Sequence, residues 1–102
     1  MSKYSQLEAV IDEQLKPLFL RIEDESHQHG GNRVESHFKV TIVAGVFEGL
    51  SLLKRHQSVY KVVQPIMNQG IHALGLHCYT EDEWLKRGGT IPDSPRCRGG
   101  SL

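Results

Sequence analysis

Two strand-like runs, His37 to Ala44 and Ile71 to Thr80, are separated by a helical stretch, and this order limits the fold more than any other feature of the chain. In the first run Phe38, Val40 and Ile42 alternate with His37, Lys39, Thr41 and Val43, which is the period of a strand. The second, Ile71-His72-Ala73-Leu74-Gly75-Leu76-His77-Cys78-Tyr79-Thr80, reads as a buried strand with a histidine at its entrance. Between them, from Leu50, the residues Leu52, His56, Val59, Val63 and Ile66 fall on one helical face. Two strands joined by a helical crossover run parallel, with a right-handed connection.

An earlier strand precedes this unit. Leu18, Leu20 and Ile22 alternate with Phe19, Arg21 and Glu23. A polar segment, Asp24 to Glu35, then carries His27, His29 and the turn Gly30-Gly31-Asn32. A loop connection makes the first two strands antiparallel. Ahead of them, Ser5 and Glu8 form a capping box that predicts the start of a helix with the stripe Leu7, Val10, Ile11 and Leu15, stopped by Pro17. Gly45 and Gly49 bracket a connector, and Pro65 is expected to kink the second helix or restart it after Gln64. Thr80 and Glu83 form a second capping box, opening a short helix with Trp84 and Leu85 that Gly88-Gly89 closes.

The expected order is helix, strand, strand, helix, strand, helix. That is one α/β (α+β) domain with a three-stranded mixed sheet and its helices on one face. It spans residues 1–89, with 90–102 as a flexible C-terminal tail. Parallel strands begin at the same end of a sheet. The loop holding His29 enters the second strand at that end, and His72 begins the third strand there, so two imidazoles distant in sequence are expected to meet at one rim.

Composition narrows the function. A chain of 102 residues suits one domain. Lys+Arg and Asp+Glu are 12 each, so no global positive field draws in nucleic acid or an anionic membrane. The two cysteines cannot build a disulfide framework; Cys78 reads as a small buried hydrophobe and Cys97 as an exposed thiol. Met1 to Ser5 lacks signal-peptide character, and no apolar run approaches the roughly 20 residues of a membrane span, so a cytoplasmic location is expected. There are no paired carboxylates and no nucleophile–base constellation, so the expectation is no enzyme. Gly45 and Gly49 are not followed by Lys-Ser/Thr, which rejects a phosphate-binding P-loop. His56 is expected to be structural and bonded to backbone, with Arg55 as a surface or partner contact; His37 and His77 are read as structural too.

Several of these pieces together resemble the BolA family: Asp24-Glu25-Ser26, Glu35-Ser36-His37-Phe38-Lys39-Val40, Phe47-x-Gly49-x-x-x-Leu53-x-Arg55-His56, Ile71-His72-Ala73-Leu74 running into Tyr79-Thr80, and Glu83-Trp84. The tail Ser94-Pro95-Arg96-Cys97-Arg98-Gly99 is similar as well. The resemblance implies a fold similar to the class II KH domain and a partnership with monothiol glutaredoxins, in which the two proteins share a 2Fe–2S cluster. The glutaredoxin and its bound glutathione each supply a thiolate. The BolA-like partner supplies the histidine of the third strand, His72 here, and a further ligand from the loop between the first two strands. His29 matches that ligand in register, with His27 beside it. The free protein is expected to be a monomer or weak homodimer with no cluster of its own. The alternative is a KH-like DNA-binding regulator of morphology and stress response, with Lys39, Lys54, Arg55 and Lys61 as phosphate contacts, although the chain has no G-x-x-G.

Overall fold

The computed structural model describes residues 2–26 and 36–91. Its first helix, α1 (Lys3–Leu15), is capped by Ser2 rather than Ser5: the Ser2 hydroxyl accepts the Ser5 backbone N–H at 3.0 Å. Either serine has the chemistry of a cap. Ser2 takes the role because its backbone is extended while Ser5 is already helical. Leu7, Ile11 and Leu15 are buried on one stripe, with Val10 packed alongside. Lys16 turns left-handed at φ 48° and closes the helix before Pro17.

The sheet has the order β1 (Phe19–Asp24), β2 (His37–Val43), β3 (Ala73–Tyr79). β1 pairs antiparallel with β2, Phe19 opposite Val43. β2 pairs parallel with β3, from His37 opposite Ala73 to Val43 opposite Tyr79. Leu20, Ile22, Phe38, Val40, Ile42, Leu74, Leu76 and Cys78 point to one face and form the core with α1 and α2 (Leu52–Met67). Leu18, expected to alternate inward, instead precedes the strand and is 44% exposed; only its backbone is engaged, N–H to Val43 carbonyl at 2.7 Å.

The second helix begins after the cap Ser51 and differs from the expected face in two ways. Leu52 is 61% exposed, and Arg55 takes the inner position at that end. Pro65 does not restart the helix, which runs unbroken to Met67. A proline in a helix interior costs about 3 kcal/mol. Burying Val59, Val63 and Ile66 at roughly 1.5–3 kcal/mol each is enough to hold the helix together.

The capping box of α3 (Glu81–Lys86) is formed on both sides: Thr80 Oγ1 accepts the Glu83 N–H, and Glu83 Oε1 accepts the Thr80 N–H. Trp84 stacks on Phe19 at 5.4 Å between centroids and lies 5.3 Å from Tyr79. Both partners belong to the side of the sheet opposite the core. The expectation that the helices share one face thus holds for α1 and α2, whereas Trp84 carries α3 onto the other. Trp84 Nε1 donates to the carbonyl of Thr90, the first residue of the expected tail, at 2.9 Å. Gly89 is required there, because any Cβ would overlap the Trp84 ring. The remainder of the expected tail, 92–102, lies outside the described residues. No described helix is long and apolar enough to cross a membrane.

Candidate functional site

His72 is held by its backbone and left open at its ring. After α2, Gly70 turns at φ 106° and Ile71 is buried, its N–H donating to the Met67 carbonyl. The next two amides, His72 and Ala73, both donate to the Ser36 carbonyl, at 2.7 and 3.2 Å. This pins the entrance of β3 to the entrance of β2. Because the strand starts only at Ala73, the alternation that would have sent His72 inward with Leu74 and Leu76 does not reach it. The imidazole is exposed, and neither ring nitrogen has a hydrogen bond among the described residues.

A second imidazole lies beside it. The rings of His37 and His72 stack with centroids 5.9 Å apart and planes 15° apart. His37 Nδ1 is 2.9 Å from the Ser36 hydroxyl, which orients the ring. Sequence reasoning treated His37 as structural. The parallel pairing that places His72 at the rim also places the first residue of β2 there, and that was the available signal.

Beneath these rings a buried hydroxyl network ties the ends of the β1–β2 connection. Ser26 Oγ donates to Asp24 Oδ1 at 2.6 Å and accepts the N–H groups of Ser36 and His37 at 2.7 and 3.1 Å. Ser26 and Ser36 are 4% and 3% exposed, so each lost partner would leave a buried polar group unmet. The segment that bears His27 and His29 therefore starts and finishes against the His72 rim. Both histidines lie outside the described residues.

The four cations named for phosphate binding are not brought together. Arg55 is a correction: its side chain is 10% exposed and its guanidinium is bonded to Glu83, Leu50 and Cys78, so it does not meet a phosphate. Lys54 and Lys61 are exposed on α2, whereas Lys39 sits on the opposite side of the sheet. His56 is a second correction: it is only half-buried, and its buried Nε2 has no hydrogen-bond partner among the described residues, where a backbone bond was expected. Cys78 is 3% exposed and burial pushes its thiol up to about 11, a poor starting point for a thiolate ligand. Among the described residues no group of three or more His, Cys, Asp or Glu side chains converges on a common point.

Comparison with known proteins agrees with this architecture. The family model described as BolA-like protein matches residues 11–83. The chain is 42% identical over 100 residues to a Haemophilus influenzae protein named DNA-binding transcriptional regulator BolA, covering 97% of each. It is 41% identical over 96 residues to the Escherichia coli protein of the same name, covering 87% of this chain and 90% of that one. Among solved structures, BolA1 from Arabidopsis thaliana superposes with a TM-score of 0.76 at 37% identity, covering 81% of this chain and 96% of the other. By sequence and by fold, this chain belongs to the BolA-like family.

Proposed function

We propose that this protein is an adaptor that binds a monothiol glutaredoxin and supplies His72 as a ligand to a shared 2Fe–2S cluster. The observation that carries this reading is an imidazole fixed by its backbone at a sheet rim, exposed and with both nitrogens unbonded among the described residues. The donor chemistry fits the group, since an exposed imidazole is a suitable iron ligand and a shared site asks only part of its ligand set of this chain. A cluster with a histidine in place of a thiolate has a raised potential, and its retention depends on the imidazole staying unprotonated. That chemistry suits transfer or sensing. In this reading the chain's own residues orient the ligand: Ser36 holds the His72 backbone, and His37 stacks on its ring. His29, with His27 beside it, is the proposed source of the second ligand.

The test is anaerobic co-expression with a monothiol glutaredoxin, glutathione and iron. The reading expects a coloured heterodimer carrying two irons and two sulfides. A stable, colourless pair, or no pair at all, contradicts it.

DNA binding is the second reading, favoured by the names of the bacterial relatives. Lys54 and Lys61 are exposed and seven residues apart on α2, about 10 Å along the axis. A fluorescence-anisotropy titration of a DNA duplex should show affinity that falls as salt rises. Affinity unaffected by Lys54→Gln and Lys61→Gln would remove this helix from the interface.

A further inference from the structure

The side of the sheet away from the core carries an open concavity of about 280 Å³, floored by Thr41 and walled by Trp84. Arg21 from β1, Lys39 from β2, His77 from β3 and Arg87 from the end of α3 line it. Four separate elements thus deliver basic side chains to one hollow. The whole chain has a formal charge of zero, so this concentration is not a by-product of a basic protein. Glu23 is the acidic side chain nearest by strand register, lying opposite Lys39 and 3.4 Å from Arg21 Nε. Arg87 is held over the Tyr79 ring at 4.7 Å, which fixes its guanidinium at the mouth without consuming its hydrogen-bond donors. No ion pair engages Lys39 or Arg87 among the described residues.

We infer that this hollow is a binding site for a small organic phosphate. Three cations less the one carboxylate leave two positive charges, which match a phosphate monoester dianion. Arginine and lysine donors converging from different directions suit a tetrahedral oxyanion. The volume sits at the lower limit for ligand pockets, which restricts the ligand to a phosphate on a short carrier. This site lies on the other face from Lys54 and Lys61, and it stands whether or not the chain shares a cluster.

The chain has one tryptophan, and Trp84 lines this hollow, so its fluorescence reports on the site. The experiment titrates the full chain with glycerol phosphate, with sodium chloride at matched ionic strength as the control. A saturable change is expected that chloride does not reproduce. Lys39→Gln should weaken it at least about tenfold, as expected for loss of one charge-assisted hydrogen bond, and Arg87→Gln similarly. Lys54→Gln should leave it unchanged. The inference is overturned if glycerol phosphate does no more than chloride, if Lys54→Gln weakens binding as much as Lys39→Gln, or if only a DNA duplex moves the signal.

Discussion

Arg55 and Glu83, 28 residues apart, meet in a two-point ion pair, Nη1 to Oε1 at 2.6 Å and Nη2 to Oε2 at 3.0 Å. The same guanidinium donates from Nε to the Leu50 carbonyl at 3.0 Å and from Nη1 to the Cys78 carbonyl at 3.3 Å. One side chain therefore joins the start of α2, the end of β3 and the first turn of α3. A lysine supplies charge but not this fork. Arg55→Lys should lower stability by roughly 1–2 kcal/mol, and Arg55→Ala by more, since it also leaves buried carbonyls unmet. Urea unfolding of the two variants checks both the sign and the order.

The pair also predicts acid sensitivity. Arg55, through its hydrogen bond above all, together with the Thr80 backbone N–H, pulls the Glu83 carboxyl from 4.5 down to about 2. A depressed carboxylate stabilises the fold above its unfolded value and loses that contribution as pH falls through the folded one. The loss should therefore run from about pH 4.5 towards 2. Because the Glu83 side chain is 46% exposed, solvent screening limits it to about 1 kcal/mol or less. Glu83→Gln should flatten that part of the stability–pH curve, measured by thermal unfolding at each pH.

Cys78 should be inert in the native protein. It is 3% exposed, and burial holds the thiol near 11, with Arg55 pulling slightly the other way. In a Cys97→Ser background, iodoacetamide at neutral pH should modify native protein far more slowly than protein unfolded in urea, read by mass spectrometry. Equal rates would place the thiol in solvent.

Gly89 should be sensitive to alanine and Gly45 tolerant of it. A Cβ at Gly89 would collide with Trp84, whereas nothing lies within 4 Å of one at Gly45. Gly89→Ala should cost about 1–3 kcal/mol and shift the tryptophan emission, as the Trp84 ring leaves Phe19 or loses its hydrogen bond to the Thr90 carbonyl. Gly45→Ala should change neither observable appreciably.

Much of this architecture was legible in the sequence because it rests on local periodicity. The alternation of Phe38, Val40 and Ile42, the Thr80–Glu83 box and the helical crossover give three strands and the parallel pairing directly. Two of the misreadings, at Arg55 and His37, depend on partners remote in sequence. Arg55 displaces Leu52 from the inner face because Glu83 and two carbonyls await it. The rim position of His72 follows from the parallel pairing, and its hydrogen bond to Ser36 holds it there ahead of the strand, which begins at Ala73. His37 acquires a neighbour only through strand register. Ser2 and Ser5 compete as caps on equal chemistry, and position along the backbone decides between them.

Pulsed electron paramagnetic resonance of the reduced cluster, in the complex with a monothiol glutaredoxin, tests the proposed ligand most directly. The account predicts two histidine nitrogen couplings to the iron, one of which disappears in His72→Ala while both survive in His56→Ala, with the protein pair still formed. A spectrum with both couplings unchanged in His72→Ala would contradict it.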